Sequence, residues 1–166
     1  MLAALVVAGW ALQASAEAPS AVALSLEGMS YVLSRGTEVD LLIDAKRAEV
    51  SPEAGRITFS GVRARVGRAA GAAGPAGGFE LACERGDLDL ATGEFVARGR
   101  VAGAMQGGRT LRTERLVYRH ARGLVSSDAP VTIRDEVGAY RGGGFQYWVR
   151  ENRFRLTGGA SIQQGE

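Results

Sequence analysis

From Ser25 onward the apolar residues of this chain alternate with polar ones, and no helical period is sustained. Val39, Leu41 and Ile43 sit two apart, as do Phe79, Leu81 and Cys83, and Phe145, Tyr147 and Val149. That is the period of a strand with one buried face. After a four-residue break each triplet is followed by a second alternating pair: Ala48 and Val50, Leu88 and Leu90, Phe154 and Leu156. The span is the same in all three, from 39 to 50, 79 to 90 and 145 to 156. Leu111, Leu116 and Tyr118 repeat Cys83, Leu88 and Leu90 at a displacement of 28. One unit therefore occurs four times, starting near residues 39, 79, 107 and 145. The two long steps hold two insertions, Gly67–Gly78 and Arg134–Gly144.

The second half of each unit also recurs. A glycine comes first (Gly55, Gly93, Gly123), and two residues later Ile57, Phe95 or Val125 restarts the alternation. Six residues after the glycine stands a small residue (Gly61, Gly99, Ala129), then Val62, Val101 or Val131. Glycine supplies the positive φ that a tight turn between alternating runs needs. The unit is thus strand, turn, returning strand, and hairpins recurring at a fixed period predict a stacked or coiled all-β body. A lone hairpin cannot hide its apolar face, whereas four side by side bury a continuous one. The predicted inner face is Val39, Leu41, Ile43, Phe59, Phe79, Leu81, Leu88, Leu90, Phe95, Leu111, Leu116, Tyr118, Phe145, Tyr147, Phe154 and Leu156. Charged residues occupy the alternate positions, among them Asp40, Asp44, Arg63, Asp87, Arg98, Arg112 and Arg155, and read as a solvated outer face. Small residues at inner places (Ala45, Ala48, Ala97, Gly99, Ala129) would leave room beside the large ones.

A linear array has two edges, one near Leu26–Leu33 and one at Ala160–Gln164. The stretch Gly158, Gly159, Ala160, Ser161, Ile162 has no charge and no proline, so it suits strand addition by another chain.

Residues 1–16, MLAALVVAGWALQASA, are apolar, broken only by Gln13 and Ser15. As a helix they would span about 24 Å, short of the ~30 Å hydrocarbon core. Ala14-Ser15-Ala16 fits a signal-peptidase site, yet the positive n-region is missing. A retained anchor and a cleaved leader both remain open. Either sends the body across an inner membrane, so residues 1–19 are read as anchor or signal and 20–166 as the main domain.

Net charge is +2, too small for a dedicated nucleic-acid face. One cysteine and one histidine leave no disulfide scaffold and no Cys/His metal cage, so no cofactor or metal is expected. His120 reads as a turn or surface residue and Cys83 as a buried small apolar one. Asp87 and Asp89 sit on the outer face without a pocket, and Gly142–Gly144 lacks the lysine and helix of a phosphate loop. No catalytic residues emerge.

Several segments together resemble the LptC family of lipopolysaccharide export, within the OstA-like periplasmic β-jellyroll group. They are Leu26–Tyr31 (LEGMSY), Leu41–Val50 (LLIDAKRAEV, with Ala-x-x-Ala-x-Val), Thr113–Tyr118 leading to Val125–Thr132, and Arg155–Ala160. The resemblance covers nearly the whole chain and rests on the order of several weak motifs. It implies an open antiparallel β-jellyroll, groove-shaped, behind a short N-terminal apolar helix. It implies a non-catalytic, single-pass inner-membrane protein with its main domain in the periplasm. Such a protein takes lipopolysaccharide from the ABC transporter (the LptF/LptG jellyroll) and passes it to LptA. The edge beside Gly36 would meet the transporter, and the edge after Gly158 (Gly159, Ala160, Ile162) would meet LptA. The sixteen inner residues would hold the lipid. The physics agrees: a twelve-carbon chain in water costs about 10 kcal/mol at ~0.8 kcal/mol per methylene, so a carrier must shield it at every step. The alternatives are a soluble LptA-like bridge with a cleaved leader, or a secreted β-rich hydrolase or binding protein. The last would need a rim of aromatic or carboxylate residues that the sequence does not show.

Overall fold

A computed structural model describes residues 23–67 and 78–164. The expected N-terminal apolar helix and most of the Gly67–Gly78 insertion lie outside the described residues. Ten strands follow in chain order: β1 (Leu24–Arg35), β2 (Glu38–Ser51), β3 (Arg56–Gly67), β4 (Gly78–Asp89), β5 (Glu94–Met105), β6 (Thr110–Arg119), β7 (Leu124–Ser127), β8 (Val131–Arg134), β9 (Gly138–Trp148) and β10 (Arg153–Gln164). One helical turn, His120–Arg122, joins β6 to β7. All pairings are antiparallel in a single sheet of order β1-β2-β3-β4-β5-β6-β7-β9-β10. Strand β8 continues β7 between β6 and β9. The β1 and β10 edges do not pair with each other.

The break inside each repeat turns out to lie within a strand. Buried positions run two apart on either side of it and three apart across it: Ala45 to Ala48 in β2, Phe59 to Val62 in β3, Thr113 to Leu116 in β6. A three-residue step sends the side chains that follow to the opposite side of the local pleat, so the strand must bend to keep both halves facing one core. The bends line up into a seam across the sheet. Gly61 and Gly99 sit on it at φ +63° and +75°, with the side chains of Lys46 and Glu84 lying over them. On the third hairpin the seam becomes a gap between β7 and β8, where Pro130 cannot donate to a ladder. Buried Thr113 and Ser127 hydroxyls fill that gap, with Thr113 donating to the carbonyl of Pro130 at 3.0 Å and Ser127 to that of Arg115 at 2.6 Å.

Folding along the seam rolls the sheet onto itself. Phe79 in β4 and Tyr147 in β9 are separated in the ladder by β5, β6 and β7, yet their ring centroids are 5.9 Å apart. The core is one cluster running from Leu41 to Val149, and Leu41, Ile43, Phe59, Phe79, Leu88, Phe95, Leu116 and Phe145 are wholly buried in it.

Four of the sixteen predicted inner residues depart from expectation. Leu90 is 43% exposed. Strand β4 ends at Asp89, whose carboxylate accepts from the Ala91 and Thr92 amides and folds a turn, so Leu90 lies beyond the alternation. Val39 is half-buried because the register slips there: Leu33 faces Leu41 but Ser34 faces Val39. The extra residue is Asp40, and the bulge turns it inward, so this predicted outer charge is 7% exposed. Phe154 and Leu156 are half-buried, since among the described residues β10 has a neighbour on one side only. Gly99 and Ala129 belong to the seam rather than the inner face.

Candidate functional site

The inner face is a sheet of hydrocarbon and aromatic rings. Phe59 meets Phe95 edge-on at 6.3 Å, and Phe145 stacks on Tyr147 at 6.3 Å and meets Phe154 at 6.5 Å. The remaining twelve predicted lipid contacts are all buried here: Leu41, Ile43, Phe59, Phe79, Leu81, Leu88, Phe95, Leu111, Leu116, Tyr118, Phe145 and Tyr147. They fill the space between the two halves of the roll with the protein's own side chains. Two glycines make room for rings. A Cβ on Gly86 would stand 2.5 Å from Phe95, and one on Gly103 would stand 2.6 Å from Phe79. Neither role is visible in the repeat pattern.

The few polar atoms on this face are kept neutral. Burial pushes the Cys83 thiol up to about 11, and its Sγ donates to the carbonyl of Arg85. Burial likewise pushes the Tyr118 phenol up to about 12 and raises Tyr147, whose hydroxyl donates to Asn152 at 3.0 Å. A protonated buried thiol is a poor nucleophile. The face offers dispersion and water exclusion. The outer face is different: Arg98 pairs with Asp87, Arg115 with Asp128 at 2.9 Å and Arg65 with Asp44 at 3.4 Å. A shallow depression of about 630 Å³ lies on it, floored by Ala82, Ala102 and Ala104 and flanked by Arg63 and Glu80.

The predicted partner-binding residues fall into two groups. Gly158, Gly159, Ala160 and Ile162 lie along the free edge of β10, and Ile162 is 64% exposed. Gly158 is not an idle edge position, however. It has φ +70° and packs against the backbone of Gly143, forming the β10 end of the seam. Gly36 is exposed but lies in the β1–β2 turn, not along the free edge of β1.

His120, which reads from the sequence as a turn or surface residue, lies in the β6–β7 turn with its side chain largely covered. Its Nδ1 lies 3.5 Å from the Asp40 carboxylate. Desolvation lowers its pKa, outweighing the opposing pull of Asp40. Arg35 reaches Asp40 at 3.0 Å and Arg150 at 3.9 Å. Alternation alone assigned Asp40 to solvent; the bulge that turns it inward has no signature in spacing.

A family profile described as lipopolysaccharide-assembly, LptC-related, matches residues 2–163. Among curated proteins nothing matches the chain. Among solved structures the fold is similar to that of LptH from Pseudomonas aeruginosa, described as the LptA-homologous periplasmic component of the lipopolysaccharide transport device. The TM-score is 0.59 at 10% identity, over 76% of this chain and 95% of that one. At that identity the likeness speaks for the jellyroll fold alone.

Proposed function

The chain belongs to the LptC-related lipopolysaccharide-assembly family, a transport family, and from that premise we propose that it is a non-catalytic lipid carrier and bridging module. In this reading lipopolysaccharide acyl chains lie between the two halves of the rolled sheet, against Phe79, Leu81, Phe145 and their neighbours. The observation that carries it is a single antiparallel sheet, apolar inside and, among the described residues, unpaired at both edges. The β1 edge would receive the jellyroll of the inner-membrane transporter, LptF/LptG. The β10 edge would extend into LptA by strand addition, giving one continuous sheet across the periplasm. Residues 1–19 would anchor the chain in the inner membrane by a single pass.

The interior is already full, so loading requires the protein's side chains to give way. A twelve-carbon chain recovers on the order of 10 kcal/mol by leaving water, enough to drive partial opening. The test is site-specific photocrosslinking in cells. A photoreactive residue at Phe79, Leu81 or Phe145 is expected to capture lipopolysaccharide, and one at Arg112 on the outer face is not. Capture from the outer position alone would overturn the reading. Membrane fractionation with N-terminal sequencing distinguishes the anchor from a soluble bridge, which would begin just after Ala16.

A further inference from the structure

Asp40 sits where the two lips of the roll meet. It opens β2, beside the β1–β2 turn at one end of the strands. His120 and Arg150 belong to the β6–β7 and β9–β10 turns, at the opposite strand ends. Along the ladder β2 and β6 are four steps apart, about 19 Å at ~4.8 Å per strand. The contact exists only because the sheet is rolled, and it spans the open side, facing away from the seam. Three further contacts join the same lips. Arg35 donates to the His120 carbonyl at 2.6 Å, the Leu33 side chain crowds Gly93 in the β4–β5 turn, and Arg109 in the β5–β6 turn covers the ring of Phe154 at 5.4 Å.

Asp40 is the keystone of this group. Arg35, from its own hairpin, and Arg150, from across the mouth, share its carboxylate, and neutral His120 leans on it. The cluster is imperfectly satisfied: Asp40 Oδ2 and His120 Nδ1 are buried and neither makes a well-formed hydrogen bond. A half-satisfied buried group is held weakly for its desolvation cost, which suits a contact that must part. On the carrier reading above, we propose that Asp40, with Arg35 and Arg150, forms an ionic clasp that keeps the lateral mouth of the jellyroll shut, and that acyl chains are admitted between the β1–β2 turn and the β6–β7 and β9–β10 turns when it parts.

Cys83 is the natural reporter, being the only thiol, buried on the inner face beside the seam. Its reaction with a disulfide reagent requires the roll to open. Asp40→Asn is expected to speed labelling about tenfold, the effect of losing a partly buried ion pair. Arg150→Gln, a milder change on an exposed side chain, is expected to do so to a smaller degree and covers the case in which Asp40→Asn fails to fold. Asp128→Asn, which breaks an ion pair away from the mouth, is the control and is expected to leave labelling unchanged. The second arm adds purified lipopolysaccharide and follows protection of Cys83. Faster protection in the clasp variants than in the parent supports the mouth as the path of admission. Unchanged labelling overturns the clasp. Faster labelling with unchanged loading overturns its role in admission. Absence of protection in every protein, with labelling still accelerated, leaves the clasp standing and sinks the carrier reading instead.

Discussion

Gly103→Ala puts the packing of the inner face to a quantitative test. Gly103 has an ordinary φ, so alanine meets no backbone obstacle. The new Cβ would lie 2.6 Å from Phe79 Cζ and 3.1 Å from its Cε2. Carbon atoms prefer 3.5–4.0 Å, so the ring must retreat by about 1 Å. Phe79 is wholly buried and held from the other half of the roll by Tyr147 at 5.9 Å, so retreat disturbs the contact that closes the roll. Overpacking of this kind costs about 1–3 kcal/mol. Replacing glycine returns about 0.4–1 kcal/mol through the unfolded chain. The net loss is about 1–2 kcal/mol, or about 2–8 °C in Tm for a chain of this size. Thermal unfolding by circular dichroism measures it, and Phe79→Leu supplies the other corner of a double-mutant cycle. Leucine removes the offending ring edge, so Gly103→Ala should cost less in the Phe79→Leu background, with a coupling above 0.5 kcal/mol. An unchanged or raised Tm in the single variant, or strict additivity in the pair, would refute the argument that ring and glycine were fitted to each other.

Burial lowers the His120 pKa, so between its folded and unfolded values the unfolded chain binds more protons and stability rises with pH. Tm should therefore fall on acidification below pH ~6.5, the model-peptide value, and His120→Gln should flatten that slope in melts from pH 5 to 7.5; an identical slope in both proteins contradicts the buried neutral imidazole. Deleting Ala160–Glu166 removes an exposed stretch of β10 that pairs with β9, so the fold should survive with a modest loss in Tm while pull-down of LptA, the partner proposed for this edge, weakens. Unchanged pull-down contradicts strand addition at this edge.

Much of the fold is legible in the chain because strand alternation and glycine turns are local signals. The hairpin turns fall at Gly55, Gly93 and Gly123, all at positive φ, where the repeat places them. The inner face follows from parity for Leu41, Phe59, Phe95 and Phe145. What parity cannot supply is depth and bending. The five-residue jump from Ile43 to Ala48 is readable as a pause between runs, but only the sheet shows it to be a kink inside one strand. The inward turn of Asp40 arises from a one-residue register slip against β1, a property of pairing rather than of either sequence segment. Leu90 misleads for a related reason: the Asp89 carboxylate caps the turn and ends the strand one residue before the alternation does. The small residues that suggested room beside the large ones are instead closed into the core, as Ala48 and Ala97 are, or lie on the seam, as Gly99 does. The glycine that looked like a simple edge residue, Gly158, is fixed by its contact with Gly143, a neighbour known only once the two strands are paired.

If lipid lies where the protein's own rings now pack, carrying it must part the lips of the roll. Spin labels at Thr37→Cys and Ala121→Cys, both exposed and on opposite lips, in a Cys83→Ala background, measure that gap directly. Pulsed dipolar spectroscopy should show the distance between them lengthening when purified lipopolysaccharide is bound. Bound lipopolysaccharide with an unchanged distance would contradict the account, because the lipid would then lie elsewhere than between the two halves of the sheet.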